Sequence, residues 1–166
     1  MAANTNLSEA LRKAHRCIDV GDEAELAKLI HQNSGLLSAR DRSGRTLLSD
    51  AVVRGQANIV RLLVARGADV NAVDEVGMSA LHYAATEESC ELCEILLANG
   101  CYVDAQDMWG NTPLSNAVFN SRGRGDVIQL LIRNGADKTI ANKRGISPET
   151  LAKSIKNHDI AKWLDA

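Results

Sequence analysis

Cys90 and Cys93 stand as Cys-x-x-Cys with Cys101 close behind, and paired thiolates at that spacing bind zinc or exchange with a disulfide. Either chemistry needs more than one pair supplies. The sequence has no second Cys pair and no His pair at metal-ligand spacing, and Cys93 and Cys101 hold the places that Val60 and Ala68 hold one segment earlier. They read as small core residues, leaving a metal or redox role for Cys90 and Cys93 as a remote alternative. His15, His31, His82 and His158 are scattered, and no Ser or Cys beside them sits in a nucleophile motif. Arg122 and Arg124, in the glycine-rich stretch 121–125, lack the glycine spacing and the Gly-Lys-Ser/Thr ending of a phosphate loop, so that stretch reads as a solvated loop. No enzyme activity, cofactor or metal is expected.

The elements that must position any site follow from composition and repetition. The 166 residues fit one domain, and a hydrophobic fraction of 45% with 24% charged residues is ordinary for a folded chain. A formal net charge of −2 gives no field that would draw the chain onto nucleic acid or an anionic membrane. The N-terminal residues lack a basic start and an apolar run, no window has the roughly 20 apolar residues of a membrane span, and four cysteines do not make a disulfide scaffold. A cytoplasmic chain with reduced thiols is expected. Aromatic residues make up only 3%, which suits thin layers of Leu, Ile, Val and Ala better than one large core.

The layers are visible as a repeat. Asp41, Asp74 and Asp107 open three similar segments with a period of 33 residues, and a shorter fourth begins at Asn142, delayed by two residues that fall within 121–125. Gly44, Gly77, Gly110 and Gly145 come three residues after each opening residue, where a tight turn is expected. Thr46, Ser79, Thr112 and Ser147 then offer helix N-caps, with Pro113 and Pro148 at the first helical position. A short helix with a narrow apolar face (Leu48 and Ala51, Leu81 and Ala84, Leu114 and Ala117) is followed by a second, richer in Leu, Ile and Val, which Gly67, Gly100 and Gly135 end. One unit cannot bury both of its helices, so the units must stack and the ends must differ. The pattern through Leu7, Leu11, Ala14 and Ile18, then Leu26, Leu29 and Ile30, supplies one end. The other carries Glu149 where the inner units have Leu, and closes on Ile160, Trp163 and Leu164.

These strings resemble the ankyrin repeat family: residues 111–117 read NTPLSNA, residues 78–84 read MSALHYA and residues 67–71 read GADVN. The family's signature His survives only as His82, with Ser49 and Ser115 in its place elsewhere. The resemblance implies an all-α solenoid of helix-turn-helix units with projecting β-turns, forming a single domain over 1–166. It divides as an N-terminal cap (7–40), repeats at 41–73, 74–106 and 107–141, and a C-terminal cap (142–166). It implies a concave face for a protein partner and no chemistry. On the turns and inner helices it places Arg42, Arg45, Arg54, Glu75, Met78, Glu87, Met108, Trp109, Asn111, Phe119, Lys143 and Arg144. Trp109 and Met108 fall on a turn tip where solubility alone favours polar residues.

The row has a basic end, an acidic middle and an apolar patch, which suits one shaped protein partner better than a uniform polyanion. The wording of the repeats also resembles small stand-alone bacterial ankyrin proteins, some of which act as immunity proteins that block a toxin. The alternative is a general scaffold or regulatory adaptor. A monomer is expected in either case.

Overall fold

A computed structural model describes residues 2–155 and 159–165, the side chains of residues 2–6 excepted; His158 lies outside the described residues. The described residues form α1 (Ala2–Val20), α2 (Glu23–Gln32), α3 (Leu47–Val53), α4 (Ala57–Ala65), α5 (Ala80–Thr86), α6 (Cys90–Ala98), α7 (Pro113–Asn120), α8 (Asp126–Arg133) and α9 (Pro148–Ser154). Short 3₁₀ turns follow α2 at Ser34–Leu37 and close the C-terminal unit at Ala161–Asp165. Among these residues there is no β-strand, only an isolated bridge between Val73 and Ser79. The chain is an all-α ankyrin-type solenoid.

The inner helices α3, α5, α7 and α9 start where their capping residues predict. Thr46, Ser79, Thr112 and Ser147 accept from the backbone N–H three residues on, at 3.3, 3.4, 3.3 and 3.2 Å. Each cap of this kind stabilises its helix by about 1 kcal/mol. The residues facing along the stack are small or slender: Leu48, Ala51, Leu81, Ala84, Leu114 and Ala117 are all buried. Val60, Leu63, Cys93, Leu96, Ile128 and Leu131 from the outer helices complete one continuous core. The inner helices pack α1 to α3 to α5 to α7 to α9, and the outer helices α2 to α4 to α6 to α8.

The turns between units are organised by one recurring carboxylate or amide. Asp41, Asp74, Asp107 and Asn142 each accept, through Oδ1, from the backbone N–H groups two and four residues on, at 2.8 to 3.1 Å. Successive turns are joined by backbone bonds from Glu75 to the Ser43 carbonyl (3.2 Å), Met108 to Val76 (2.8 Å) and Lys143 to Trp109 (2.9 Å). The approach is close enough to require glycine. A Cβ on Gly44, whose φ is +77°, would lie 2.7 Å from the Glu75 nitrogen, whereas one on Gly145, at φ +74°, would meet nothing described within 4 Å. Both alanine variants incur the left-handed penalty of about 1–2 kcal/mol. Gly44→Ala is expected to cost a further 1–3 kcal/mol or so from overpacking. Urea unfolding of the two variants checks this, and equal losses would contradict the stacking of the turns.

His82 ties the second unit to the third. Its Nδ1 faces the Ser79 N–H at 3.1 Å, which fixes Nδ1 as acceptor and leaves Nε2–H to donate to the Asn111 carbonyl at 3.1 Å. Ser49 and Ser115 keep only the local half of this arrangement, through Thr46 and Thr112. Between the third and fourth units, Asn142 Nδ2 instead donates to Asn111 Oδ1 at 2.8 Å.

Burial holds the His82 pKa below its ordinary 6.5, outweighing the Asn111 bond and the nearby carboxylates of Asp107 and Asp74. The unfolded chain therefore takes up this proton first. Stability is complete above the unfolded value of 6.5 and falls as pH drops below it, by at most about 1.4 kcal/mol per pH unit. Melting curves from pH 7.5 to 5.5 should show a decline that His82→Ser, which installs the residue of the sister units, flattens. An unchanged decline in the variant would assign the effect elsewhere.

The ends are built differently. At the N-terminus α1 lies on α3, and the buried Asp50 carboxylate accepts from His15 Nδ1 (2.7 Å) and Arg54 Nε (3.2 Å), with Arg54 also paired to Asp19. At the C-terminus the outer helix is reduced to the 3₁₀ turn, and the Trp163 ring lies against Gly125, leaving no room there for a Cβ.

Candidate binding surface

The positions that the repeat assigns to turn tips and inner helices differ in how far they are committed to the fold. Arg45 is paired with its own Asp41 at 3.1 Å, and Arg54 is held by Asp50 and Asp19. Asn111 donates to Asp107 Oδ2 at 3.2 Å while accepting from Asn142, and Met78 is half-buried. These four support the surface. Arg42, Glu75, Glu87, Lys143 and Arg144 are exposed, and among the described residues none of them enters an ion pair.

The apolar members are exposed as well: Trp109 by 51%, Met108 by 49% and Phe119 by 72%. Trp109 and Met108 share a tip whose backbone is fixed on both sides, since Met108 N–H bonds to the second turn and the Trp109 carbonyl accepts from the fourth. Phe119 stands six residues past Pro113 on α7, a rise of about 9 Å. The apolar groups thus form two stations, one at the tip and one up the inner helix. Polar residues of the second and third units are already engaged, Asn116 of α7 donating to Thr86 of α5 at 3.2 Å and Tyr83 of α5 donating to Asp74. Tyr83 and Asp50 were not singled out from the sequence; their shared place, one residue after His82 and Ser49, was the available signal. Tyr102, on the loop after α6, is a further exposed aromatic outside the row.

The cysteines occupy a different environment. Cys93 is fully buried and burial pushes its thiol pKa up to about 12, while Cys101, also raised by burial, reaches about 11. Burial raises Cys90 and Cys17 too, and all four are free. High pKa values keep thiolate scarce at neutral pH, which suits packing rather than nucleophilic or metal-binding work. Among the described residues no group of three or more His, Cys, Asp or Glu side chains is placed to hold a metal ion. Replacing Cys90 with Ala and Cys93 with Val together should cost about 1–3 kcal/mol in stability and leave partner binding intact. Loss of binding by the folded double variant would give the pair a role beyond packing.

The stretch 121–125 is more structured than a solvated loop. Arg122 is exposed, but Arg124 forms an ion pair with Glu88, whose side chain is largely buried, and Gly125 is buried under Trp163. Glu88 takes φ +52° where the first unit has Gly55 at +70°, so the pair holds a strained corner against the inserted segment. On the convex side an open groove of about 370 Å³ lies between α4 and α6, bridged by Arg61 and Glu91 at 2.9 Å. No described helix is long and apolar enough to cross a membrane.

A search of curated proteins finds no match. A family model for ankyrin repeats (three copies) matches residues 14–107 and 74–142. With those stretches reaching from α1 into the fourth turn, the stacked helix pairs, bonded turns and matched sequence agree: the chain belongs to the ankyrin repeat family, whose repeats are protein–protein interaction modules.

Proposed function

We propose that this chain is a non-enzymatic protein that binds one protein partner through its turn tips and inner helices. We further propose that it acts as a cytoplasmic monomer of bacterial type, occluding the partner's working surface as an immunity protein does for a cognate toxin. The observation that carries the reading is the half-exposed Trp109 on a tip held rigid by bonds to both neighbouring turns. A rigid, solvent-facing Trp with Met108 beside it and charged residues around it has the make-up of an interface anchor. Four free cysteines fit a reducing compartment.

The experiment is affinity capture from native lysate, identification of the partner by mass, and assay of the partner's activity with and without the purified chain. Stoichiometric inhibition of a toxin or nuclease supports occlusion. A partner whose activity continues in the complex makes the chain a scaffold or adaptor. Stoichiometric zinc in the purified chain would return the function to Cys90 and Cys93.

A further inference from the structure

Among the described residues, the row of turns stops at Asn142–Ile146 with one side uncovered. Each earlier turn is bonded to its successor, and the same register makes the carbonyl of Arg144 the next acceptor; no described N–H donates to it. Clearance gives the same result. A Cβ on Gly77 or Gly110 would lie 3.0 Å from the next turn's backbone, while one on Gly145 meets nothing described within 4 Å. Ile146, in the place of the half-buried Arg45, Met78 and Asn111, is 39% exposed.

The helix beneath this turn is closed to a further repeat. Where the inner units bury Leu48, Leu81 and Leu114, α9 carries Glu149, which accepts from Lys153 at 2.6 Å on the surface. Another helix pair would have to bury that ion pair at a desolvation cost. The vacancy therefore suits a turn or loop without helices behind it. Its charge is set by Lys143 and Arg144, both exposed and without an acidic partner among the described residues. The chain supplies a backbone precedent: the first turn, with Arg42 and Arg45, receives the Glu75 N–H of the second turn on its Ser43 carbonyl, though no ion pair among the described residues joins the two turns. A second copy stacked head to tail would instead bring its Arg42 toward Lys143 and Arg144, and like charges disfavour that arrangement.

We infer that the open side of the Asn142–Ile146 turn receives an acidic loop of the protein partner, which donates a backbone N–H to the Arg144 carbonyl and sets carboxylates beside Lys143 and Arg144. This rests on the proposed binding function and names the chemistry the partner brings to one end of the row.

The probe is a synthetic peptide copying residues 72–80 of this chain, which carries the acidic second turn, titrated to millimolar concentration into the ¹⁵N-labelled protein. A control peptide carries Asp74→Asn and Glu75→Lys. Amide shifts at Arg144, Gly145 and Ile146 are expected with the acidic peptide, and affinity should fall at least about fivefold with the control peptide or with Lys143→Glu/Arg144→Glu protein. No shifts, shifts centred elsewhere, or equal affinity for both peptides would overturn the inference. Concentration-dependent shifts at the same amides without peptide would also overturn it, assigning the site to a second copy. With the captured partner, Lys143→Glu/Arg144→Glu should weaken binding about tenfold or more. Undiminished binding by that variant, beside loss in Trp109→Ala, would remove this inference and leave the binding function standing; loss in neither would remove both.

Discussion

Trp109→Ala is expected to weaken the partner complex about 30-fold or more, the equivalent of roughly 2–4 kcal/mol for truncating a central aromatic anchor. Folding should be nearly unaffected, because the side chain is half in solvent and the bonds that hold the tip are backbone bonds from Trp109 and to it. Titration of the variant against the captured partner, with melting curves as control, measures both effects. Charge variants around the tip should act more weakly and fade at high salt. Lys143 and Arg144 are the informative choices for that comparison, since Arg45 is engaged with Asp41 and its reversal would disturb the turn as well as the rim. Native affinity in Trp109→Ala would move the anchor away from the third turn.

Asp50→Ala should destabilise the fold by about 3 kcal/mol, because it removes the acceptor from His15 and Arg54 together. His15 is the more vulnerable of the two, as its Nε2 is buried without a partner among the described residues. The loss should appear first in α1, as early helix melting and fast amide exchange over residues 7–20. Replacing both partners, His15→Leu with Asp50→Leu, should recover most of the stability, since apolar packing removes the demand for the bond. Burial raises the Asp50 pKa, but the His15 bond and the charges of His15 and Arg54 outweigh it and hold the carboxyl below its ordinary 3.8. Its contribution is accordingly present above the unfolded value and lost only as pH falls through the lower folded value. A double variant no more stable than Asp50→Ala would show that the contact between α1 and α3 does not depend on this pair.

The repeat made the inner helices legible because the starts of α3, α5, α7 and α9 are local signals: a hydroxyl N-cap, in two units followed by Pro, and in the first three a buried Leu two residues on. The turns were legible for the same reason, an Asp or Asn three residues before a Gly. Side-chain partners across units were less so. That Arg45 and Arg54 are held by Asp41, Asp50 and Asp19 follows from how neighbouring helices are stacked, and spacing along one chain does not distinguish a paired surface Arg from an unpaired one. The segment 121–125 has the composition of a solvated loop, yet the contact of Gly125 with Trp163 spans two units, and the left-handed corner at Glu88 sits where the first repeat has Gly. The apolar row could be read as a set of positions. Its division into a tip station and a helix station came from the length of α7.

Hydrogen exchange of the complex against the free chain tests the central claim most directly, because it reports which face the partner covers. Binding through the turns and inner helices predicts added protection at residues 107–111 and 142–146 and along α7, with α4 and α6 unchanged. Protection confined to α4 and α6, around the groove lined by Arg61 and Glu94, would place the partner on the convex side and contradict it.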